Sequence, residues 1–237
     1  MARLRTPLGV LRYKPVFLYE GRNVINKEIA LKNLGELTIL FREAGIQTGP
    51  VFGSLLGMIR ENDFISWDED IDMYLLKEQE EDFLSLLWKL RDHGFELVRF
   101  DKRGLYSLMK DGEYVDYYVF RSISSELRHN GGPGFMLEKY FKDTVHFDFK
   151  GVDLTVPRES EELLAFTYGD NWRTPMRYFY TPSPAALLMK KIKWSLKCLI
   201  PLAIYPALIR VFRKKDLRKF LKKCSDKGIE LKETPVL

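Results

Sequence analysis

The sequence predicts an α+β fold, with a mixed β-sheet flanked by helices and a basic, amphipathic helical appendage at the C-terminal side. Three observations support this prediction. The chain has 237 residues, 46% hydrophobic and 14% aromatic, so it can bury a substantial core. Segments with helical periodicity alternate with strand-like segments. Several of those strands are joined by two-residue hairpin turns, which argues against a purely parallel, doubly wound sheet.

The predicted helices are marked by apolar side chains at helical spacing and by a glycine that ends each one. They cover residues 24–44, with Gly45 behind them, residues 78–93, with Gly94 behind them, and a short helix ending at Gly169. Ser160 is the expected N-cap of that last helix.

The predicted strands pair through turns that suit a hairpin. Asp111-Gly112 connects a strand at 105–110 to the segment EYVDYYVF at 113–120, and a further strand is expected at 95–100. Lys150-Gly151 is the expected turn of a second hairpin, over residues 144–157.

Residues 64–75, FISWDEDIDMYL, concentrate acidic side chains inside an apolar segment. If the whole segment is a strand, Asp68, Asp70 and Asp72 share one face, and Glu69 falls on the other. Carboxylates on one face raise one another's pKa, and a divalent cation removes that penalty. Mg²⁺, or Mn²⁺ in its place, is the expected metal, because both ions prefer carboxylate oxygens and bridge them to substrate phosphates.

The acidic segment has two other interpretations besides a metal site. A solvated acidic edge is the simpler one, but the alternation of acids with apolar residues fits a half-buried strand better. An EF-hand calcium loop is excluded, because the positions that require glycine and glutamate hold Met73 and Gln79.

The stretch VFGSLLGMIR, residues 51–60, precedes the acids. A strand that runs into Gly53-Ser54 and then a helix presents backbone N–H groups and a hydroxyl at a helix start, where anions bind. Arg60, near the end of this short helix, is placed to hold a phosphate by a forked contact. Gly-Ser alone is most often an ordinary turn, and the stretch is neither a Walker P-loop nor a G-x-G-x-x-G motif.

The order of these segments is more informative than either alone. A strand, a Gly-Ser turn, a helix and a strand bearing Asp-x-Asp are typical of the nucleotidyltransferase superfamily, whose members usually add a third carboxylate on a later strand. Asp116 is the expected third carboxylate, because it interrupts the aromatic and β-branched run YVDYYVF. The alternative for Asp116 is an ordinary exposed strand residue.

The segment FGSLLGMIRENDFISWDEDIDM closely resembles the signature of the LicD family, which includes bacterial phosphocholine transferases and fukutin-type polyol-phosphate transferases. A second segment, VPRESEELLAFTYGDNWRTP, resembles the family's later motif, and the resemblance extends over residues 26–175. Two positions depart from the family pattern: Ser66 stands in place of the usual proline and Glu69 in place of the middle aspartate. Neither belongs to the expected metal set.

The resemblance implies a nucleotidyltransferase-like fold and the transfer of an alcohol phosphate, such as phosphocholine, from a CDP-alcohol donor to a hydroxyl of a glycan, with release of CMP. Asp70, Asp72 and Asp116 are then the expected catalytic and metal-binding residues, and Asp116 either holds metal or accepts the acceptor's proton. The expected substrate-binding residues are Gly53, Ser54, Arg60, Asp68, Tyr168 and Trp172. For the last two, a packed helix end is an equally good interpretation.

Two rival functions stay open from the sequence. One is a nucleotidyltransferase that adds a nucleoside monophosphate to a small molecule such as an aminoglycoside. The other is a non-catalytic, membrane-associated partner in glycan assembly that uses the same pocket.

The C-terminal composition differs from the rest. Residues 190–223 carry twelve Lys or Arg and one acid, a net charge of +11, which leaves −6 for the rest of a chain whose total is +5. We expect domain limits at 1–23, 24–181 and 182–237, and contact with an anionic membrane surface through residues 186–223. The alternative is a helical pair that packs on the domain. Nucleic acid is not an expected partner, since no recognition motif accompanies the charge.

The remaining features concern the compartment. Cys198 and Cys224 form no metal-type pair or disulfide framework, which favours a reducing environment. We expect neither a secretory signal nor a membrane span. The predicted location is the cytoplasm, peripherally on the cytoplasmic face of a membrane, and the acceptor glycan would be lipid-linked in that case.

Overall fold

The computed structural model describes residues 1–16, 18, 24–131, 134–176, 189, 205–233 and 235. The chain divides into two compact units, Met1–Arg173 and Thr174–Leu237.

The first unit contains all the described strands and five of the described helices. The strands are β1 (Ala2–Thr6), β2 (Gly9–Tyr13), β3 (Thr48–Pro50), β4 (Ile71–Leu76), β5 (Glu96–Asp101), β6 (Leu105–Lys110), β7 (Glu113–Ser124), β8 (Leu127–His129), β9 (Phe135–Leu137), β10 (Thr144–Phe149) and β11 (Val152–Pro157). The helices are α1 (Lys27–Glu43), α2 (Phe52–Glu61), α3 (Glu80–Asp92), α4 (Lys139–Lys142) and α5 (Ser160–Tyr168), and a 3₁₀ turn covers Lys77–Gln79.

The main sheet is mixed, as predicted. Its strand order is β3-β4-β7-β6-β5; β4 and β7 run parallel, and the other neighbours are antiparallel. Both predicted hairpin turns are present. Asp111 and Gly112 have φ of 51° and 81°, and Lys150 and Gly151 have φ of 52° and 88°. Two consecutive positive φ values match the twist of antiparallel strands, which is why Asp-Gly and Lys-Gly occur there.

One face of the sheet forms the core with α1 and α3. The ring of Phe41 on α1 stacks on Tyr117 of β7 at 4.7 Å between centroids, and it also contacts Phe83 of α3. Because strand side chains alternate, Met73 and Tyr117 point into this core. Asp72, the neighbour of Met73, therefore points to the opposite face, where α2 packs beside β4.

The N-terminal residues contribute to the same core. Strands β1 and β2 form an antiparallel hairpin whose Leu4, Leu11 and Tyr13 belong to the main apolar cluster. The indole N–H of Trp88 on α3 donates a hydrogen bond of 3.0 Å to Thr6 Oγ1. The segment expected as an extension thus supplies part of the core.

Two local predictions are wrong. The strand predicted from residue 64 begins only at Ile71, because the segment before it makes a turn in which the Asp68 N–H donates to the carbonyl of Ile65 at 3.0 Å. Ser160 is the first residue of α5, and Glu159 is its N-cap. The Ser160 hydroxyl donates to the Pro157 carbonyl, so it does not accept from the first helical turn.

The second unit contains α6, Tyr205–Asp226. Most of the apolar segment predicted to contact a membrane, including residues 190–204, lies outside the described residues. Within the described part of the chain, no helix combines the length and apolar character that crossing a bilayer requires.

Candidate active site

Three aspartates meet on the sheet face opposite the α1–α3 core. Asp72 and Asp116 are direct partners in the parallel register of β4 and β7, and Asp70 immediately precedes β4. One carboxylate oxygen from each of the three lies within 4.8 Å of the others. The parallel pairing explains this convergence, since it aligns two acids that are 44 positions apart in the sequence.

Burial makes this concentration of charge unfavourable. Burial is the main cause that raises the pKa of Asp70 and Asp72 well above the usual range, and the charges of the neighbouring carboxylates raise it further. Burial also raises the pKa of Asp116, although the guanidinium of Arg99 and the hydroxyl of Ser107 oppose that rise. The cluster therefore carries more negative charge than the described residues around it compensate.

Asp116 is held by one of its two oxygens. Oδ2 forms an ion pair with Arg99 Nη2, and Arg99 Nε in turn donates to Ser107 Oγ at 2.8 Å. Oδ1 is buried and has no hydrogen-bond partner among the described residues. A buried oxygen without a donor is costly, so a ligand for this atom is expected.

A divalent cation fits these residues. The oxygen separation, up to 4.8 Å, is close to the largest separation around Mg²⁺, about 4.2 Å for bonds of about 2.1 Å. The donors are all carboxylates, which Mg²⁺ and Mn²⁺ prefer. Asp70, Asp72 and Asp116 could together hold such an ion, and its charge would offset the repulsion that raises their pKa.

Hydrogen bonds connect the Gly53-Ser54 turn to strand β4. The Asp72 N–H donates to Ser54 Oγ at 2.8 Å, and the Val51 N–H donates to the Asp72 carbonyl at 3.0 Å. Helix α2 begins at Phe52, so Gly53 and Ser54 lie in its first turn, as predicted. A Cβ on Gly53 would lie 2.6 Å from Asp68 Oδ2, so glycine is required for the close approach of that carboxylate.

Asp68 reaches the site from a loop and not from the strand on which it was predicted. Its Oδ1 accepts a hydrogen bond of 3.2 Å from the Glu69 N–H, and burial is the main cause that raises its pKa. Glu69 was predicted to face away from the other acids. The Glu69 charge contributes to raising the pKa of both Asp70 and Asp116, and the direction of its side chain stays a prediction.

The other predicted residues lie on α2 and α5 and just after α5. The side chain of Arg60 is only 7% exposed, forms an ion pair with Glu61, and donates from Nη1 to the carbonyl of Trp172 at 3.3 Å. Burial, followed by the charges of Asp72 and Asp68, raises the pKa of Tyr168, which is 39% exposed. The side chain of Trp172 is buried, and its backbone carbonyl is the group that accepts the hydrogen bond from Arg60.

Four residues around the acids were missed by the sequence analysis: Arg99, Ser107, Tyr114 and Tyr118. Ser107 is the register partner of Asp116 on β6, and Arg99 is the partner of Ser107 on β5. Together with Asp72 they form one row across four strands. The register that creates this row is not visible in the sequence.

The two tyrosines were visible in principle. They flank Asp116 at positions −2 and +2 of β7, so they share its face. Tyr114 hydrogen-bonds to Asp70 and Tyr118 to Asp72. Burial, followed by these carboxylates, raises the pKa of both phenols, so both hydroxyls stay protonated and donate.

Comparison with known proteins gives one family and several similar structures. Residues 45–159 match a family model described as LicD/FKTN/FKRP, nucleotidyltransferase domain. None of the curated protein sequences compared with the chain matches it.

Three solved structures with some likeness to this chain have low sequence identity. Lincomycin-bound lincosamide antibiotic adenylyltransferase LnuA has 14% identity and a TM-score of 0.42, over 71% of this chain and 96% of that one. ANT(2'')-Ia in complex with adenylyl-2''-tobramycin has 12% identity and a TM-score of 0.40, over 81% of this chain and 98% of that one. An antigenic nucleotidyltransferase-like protein from Paracoccidioides brasiliensis has 16% identity and a TM-score of 0.40, over 85% of this chain and 95% of that one.

Proposed function

We propose that this chain, a member of the LicD family through its nucleotidyltransferase domain at residues 45–159, transfers an alcohol phosphate from a CDP-alcohol to a hydroxyl of a glycan and releases CMP. The observation that carries the proposal is the convergence of Asp70, Asp72 and Asp116, with a buried Asp116 oxygen that has no donor among the described residues. Such a cluster suits a reaction in which the charge of a diphosphate must be neutralised and aligned.

The proposed reaction balances as a single substitution at phosphorus. The acceptor hydroxyl forms a new bond to the phosphorus that carries the alcohol, and the bond from that phosphorus to the bridging oxygen breaks. CMP leaves with that oxygen, and the hydroxyl proton passes to solvent water. No oxidant or further reactant is required.

The protein's own residues position the donor and balance its charge. Asp70, Asp72 and Asp116 would hold Mg²⁺ or Mn²⁺, which supplies positive charge to the diphosphate when it is bound. The first turn of α2, with Gly53 and Ser54, offers backbone N–H groups to a phosphate.

Arg60 and Asp116 have more specific roles in this proposal. Arg60 supplies a guanidinium that the Trp172 carbonyl already orients. We assign Asp116 to metal binding and not to proton transfer, because Arg99 occupies its other oxygen and both Arg99 and Ser107 favour its ionised form.

A screen of nucleotides by thermal unfolding tests the donor class. CDP-choline and CDP-glycerol are compared with CTP, ATP and CMP, each with Mg²⁺ or with EDTA. A CDP-alcohol is expected to raise the unfolding temperature only with Mg²⁺, because a ligand that binds only the native state stabilises it. The Asp70→Asn variant, folded but without this shift, is the control.

The two rival functions give different outcomes in this screen. A nucleotide-adding enzyme would respond to a nucleoside triphosphate and release pyrophosphate. A non-catalytic partner would bind no CDP-alcohol in the presence of Mg²⁺. Either result would replace the proposed reaction.

The exposed face of α6 supports a second part of the proposal, contact with an anionic membrane surface. Its exposed cations lie along one side of the helix, at Lys214, Lys215, Arg218, Lys219 and Lys222. Positions separated by three or four residues share a helix face. Each such cation near an anionic bilayer contributes about 1 kcal/mol to binding. This contact would place the enzyme at the cytoplasmic face, close to a lipid-linked acceptor.

Sedimentation of the full chain with phosphatidylserine-containing liposomes tests this contact. Replacing Lys214, Arg218 and Lys222 by glutamate should weaken binding at least about 100-fold, since about 3 kcal/mol is lost. A variant in which exposed Lys14 and Lys32 become glutamate is the control for charge change elsewhere and should bind like the wild type. Equal binding by all three proteins, or none, would dismiss the membrane contact.

A further inference from the structure

Three side chains alternate along one face of β7: Tyr114, Asp116 and Tyr118. Asp116 belongs to the proposed metal set, and each tyrosine lies two residues from it, on the same side of the sheet. The hydroxyl of Tyr114 hydrogen-bonds to the Asp70 carboxylate, and that of Tyr118 to the Asp72 carboxylate. Strand β7 therefore carries one of the three acids and a tyrosine beside each of the other two.

The positions of the tyrosines follow from the register. Asp72 pairs with Asp116, so Tyr118 lies diagonally across from Asp72, and Asp70 and Tyr114 immediately precede the first pair, Ile71 and Val115. Tyr114 is 2% exposed, which leaves its hydroxyl little freedom to turn to water. The ring of Tyr118 packs edge-on against Phe52 at 5.2 Å, and this contact fixes its hydroxyl near the Gly-Ser turn.

We propose that Tyr114 and Tyr118 are positioning residues that set the orientation of Asp70 and Asp72 for metal binding. The inference rests on the proposed metal-dependent function. A carboxylate has two oxygens, and a donor on one of them restricts its rotation and directs the other. Partners of this kind commonly change metal affinity 10- to 100-fold when they are removed. Asp116 is held in the same manner by Arg99 on β5, so each acid has its own donor.

The same strand supplies a matched control. Tyr117 lies between the proposed residues in sequence but points into the core, where its ring stacks on Phe41. Its hydroxyl is buried and has no hydrogen-bond partner in the part of the chain that the structure describes. Tyr117→Phe therefore removes the same atom from the same strand without touching an acid.

Titration calorimetry of the full chain with Mn²⁺ alone tests the inference. Tyr114→Phe and Tyr118→Phe should each weaken Mn²⁺ binding at least tenfold, whereas Tyr117→Phe should bind like the wild type. Unfolding temperatures in EDTA are measured beside it, because a purely structural role would lower them and leave the Mn²⁺ affinity unchanged.

The outcomes separate this inference from the proposed function. Unchanged or tighter Mn²⁺ binding by both folded tyrosine variants overturns the positioning role and leaves the metal site standing. An equal loss in Tyr117→Phe also overturns it. No Mn²⁺ binding by the wild type overturns the proposed metal site, and the positioning role with it. If Tyr114→Phe does not fold, the partly exposed Tyr118 decides the result alone.

Discussion

Replacing Asp72 by asparagine is expected to stabilise the metal-free protein. Burial, followed by the charges of Asp70 and Asp116, raises the pKa of the Asp72 carboxyl. The ionised side chain is therefore destabilising at neutral pH when no cation offsets it. Asparagine has nearly the same shape and can still accept a hydrogen bond from Tyr118, but it carries no charge.

The size and pH dependence of this effect follow from the structure. A single stabilising substitution commonly adds about 0.5–2 kcal/mol to the free energy of unfolding, and 1 kcal/mol corresponds to roughly 2–4 °C in a unit of this size. A carboxyl whose pKa is raised on folding binds more protons in the native state than in the unfolded state. Its contribution to the free energy of unfolding therefore falls as pH rises. The advantage of Asp72→Asn should be present at pH 7 and should disappear below about pH 4.

Thermal unfolding in EDTA and in Mg²⁺ measures the stability of the wild type and of the variant without and with the cation. With Mg²⁺ at 100 times its dissociation constant, the wild type should gain about 2.7 kcal/mol. The variant should gain much less, so the order of stability reverses. Asp63→Asn is the matched control, because Asp63 pairs with Lys27 and Lys150 and its loss should destabilise the protein in both buffers. An Asp72→Asn variant that is less stable than the wild type in EDTA at pH 7 would refute the reasoning.

Three further predictions concern the neighbouring residues. Gly53→Ala should displace Asp68 and weaken donor binding while Mn²⁺ binding persists, because the new Cβ would lie 2.6 Å from Asp68 Oδ2; calorimetry with each ligand checks this. Ser54→Ala leaves the partly buried Asp72 N–H without its acceptor and should lower the free energy of unfolding in urea by about 1–3 kcal/mol. An unchanged free energy of unfolding would contradict the contact. Burial raises the pKa of Asp63, but hydrogen bonds from its two lysines outweigh it and lower the pKa to about 2. The roughly 1 kcal/mol that this pair contributes should be present above pH 4 and lost as pH falls through 2 in acid titrations; an equal loss at pH 6 would contradict it.

Features that depend on a few adjacent residues were predictable. The hairpin turns at Asp111-Gly112 and Lys150-Gly151 follow from backbone preferences of their own residues. The helix that begins at the Gly-Ser turn follows from the apolar pattern of residues 52–61. The match to the LicD family model over residues 45–159 was also predictable, because the family's signature is a continuous segment.

Features that depend on pairing across the sheet were not predictable. Arg99 and Ser107 join the site only because antiparallel register aligns them with Asp116, and no local pattern encodes that alignment. Strand periodicity predicted Asp68 on the same strand as Asp72, but β4 begins only at Ile71. A turn, and not an extended strand, brings Asp68 against Gly53, since its hydrogen bonds are local.

Product analysis by phosphorus NMR tests the central claim most directly. The full chain is incubated with CDP-choline, Mg²⁺ and a glycan acceptor mixture, and the wild type is compared with Asp72→Asn. The account predicts Mg²⁺-dependent formation of CMP together with a new phosphodiester on the glycan, at least 100-fold slower in the variant. Pyrophosphate release from a nucleoside triphosphate in place of CMP formation would contradict it. CMP formation that Asp72→Asn and EDTA leave unchanged would contradict it as well.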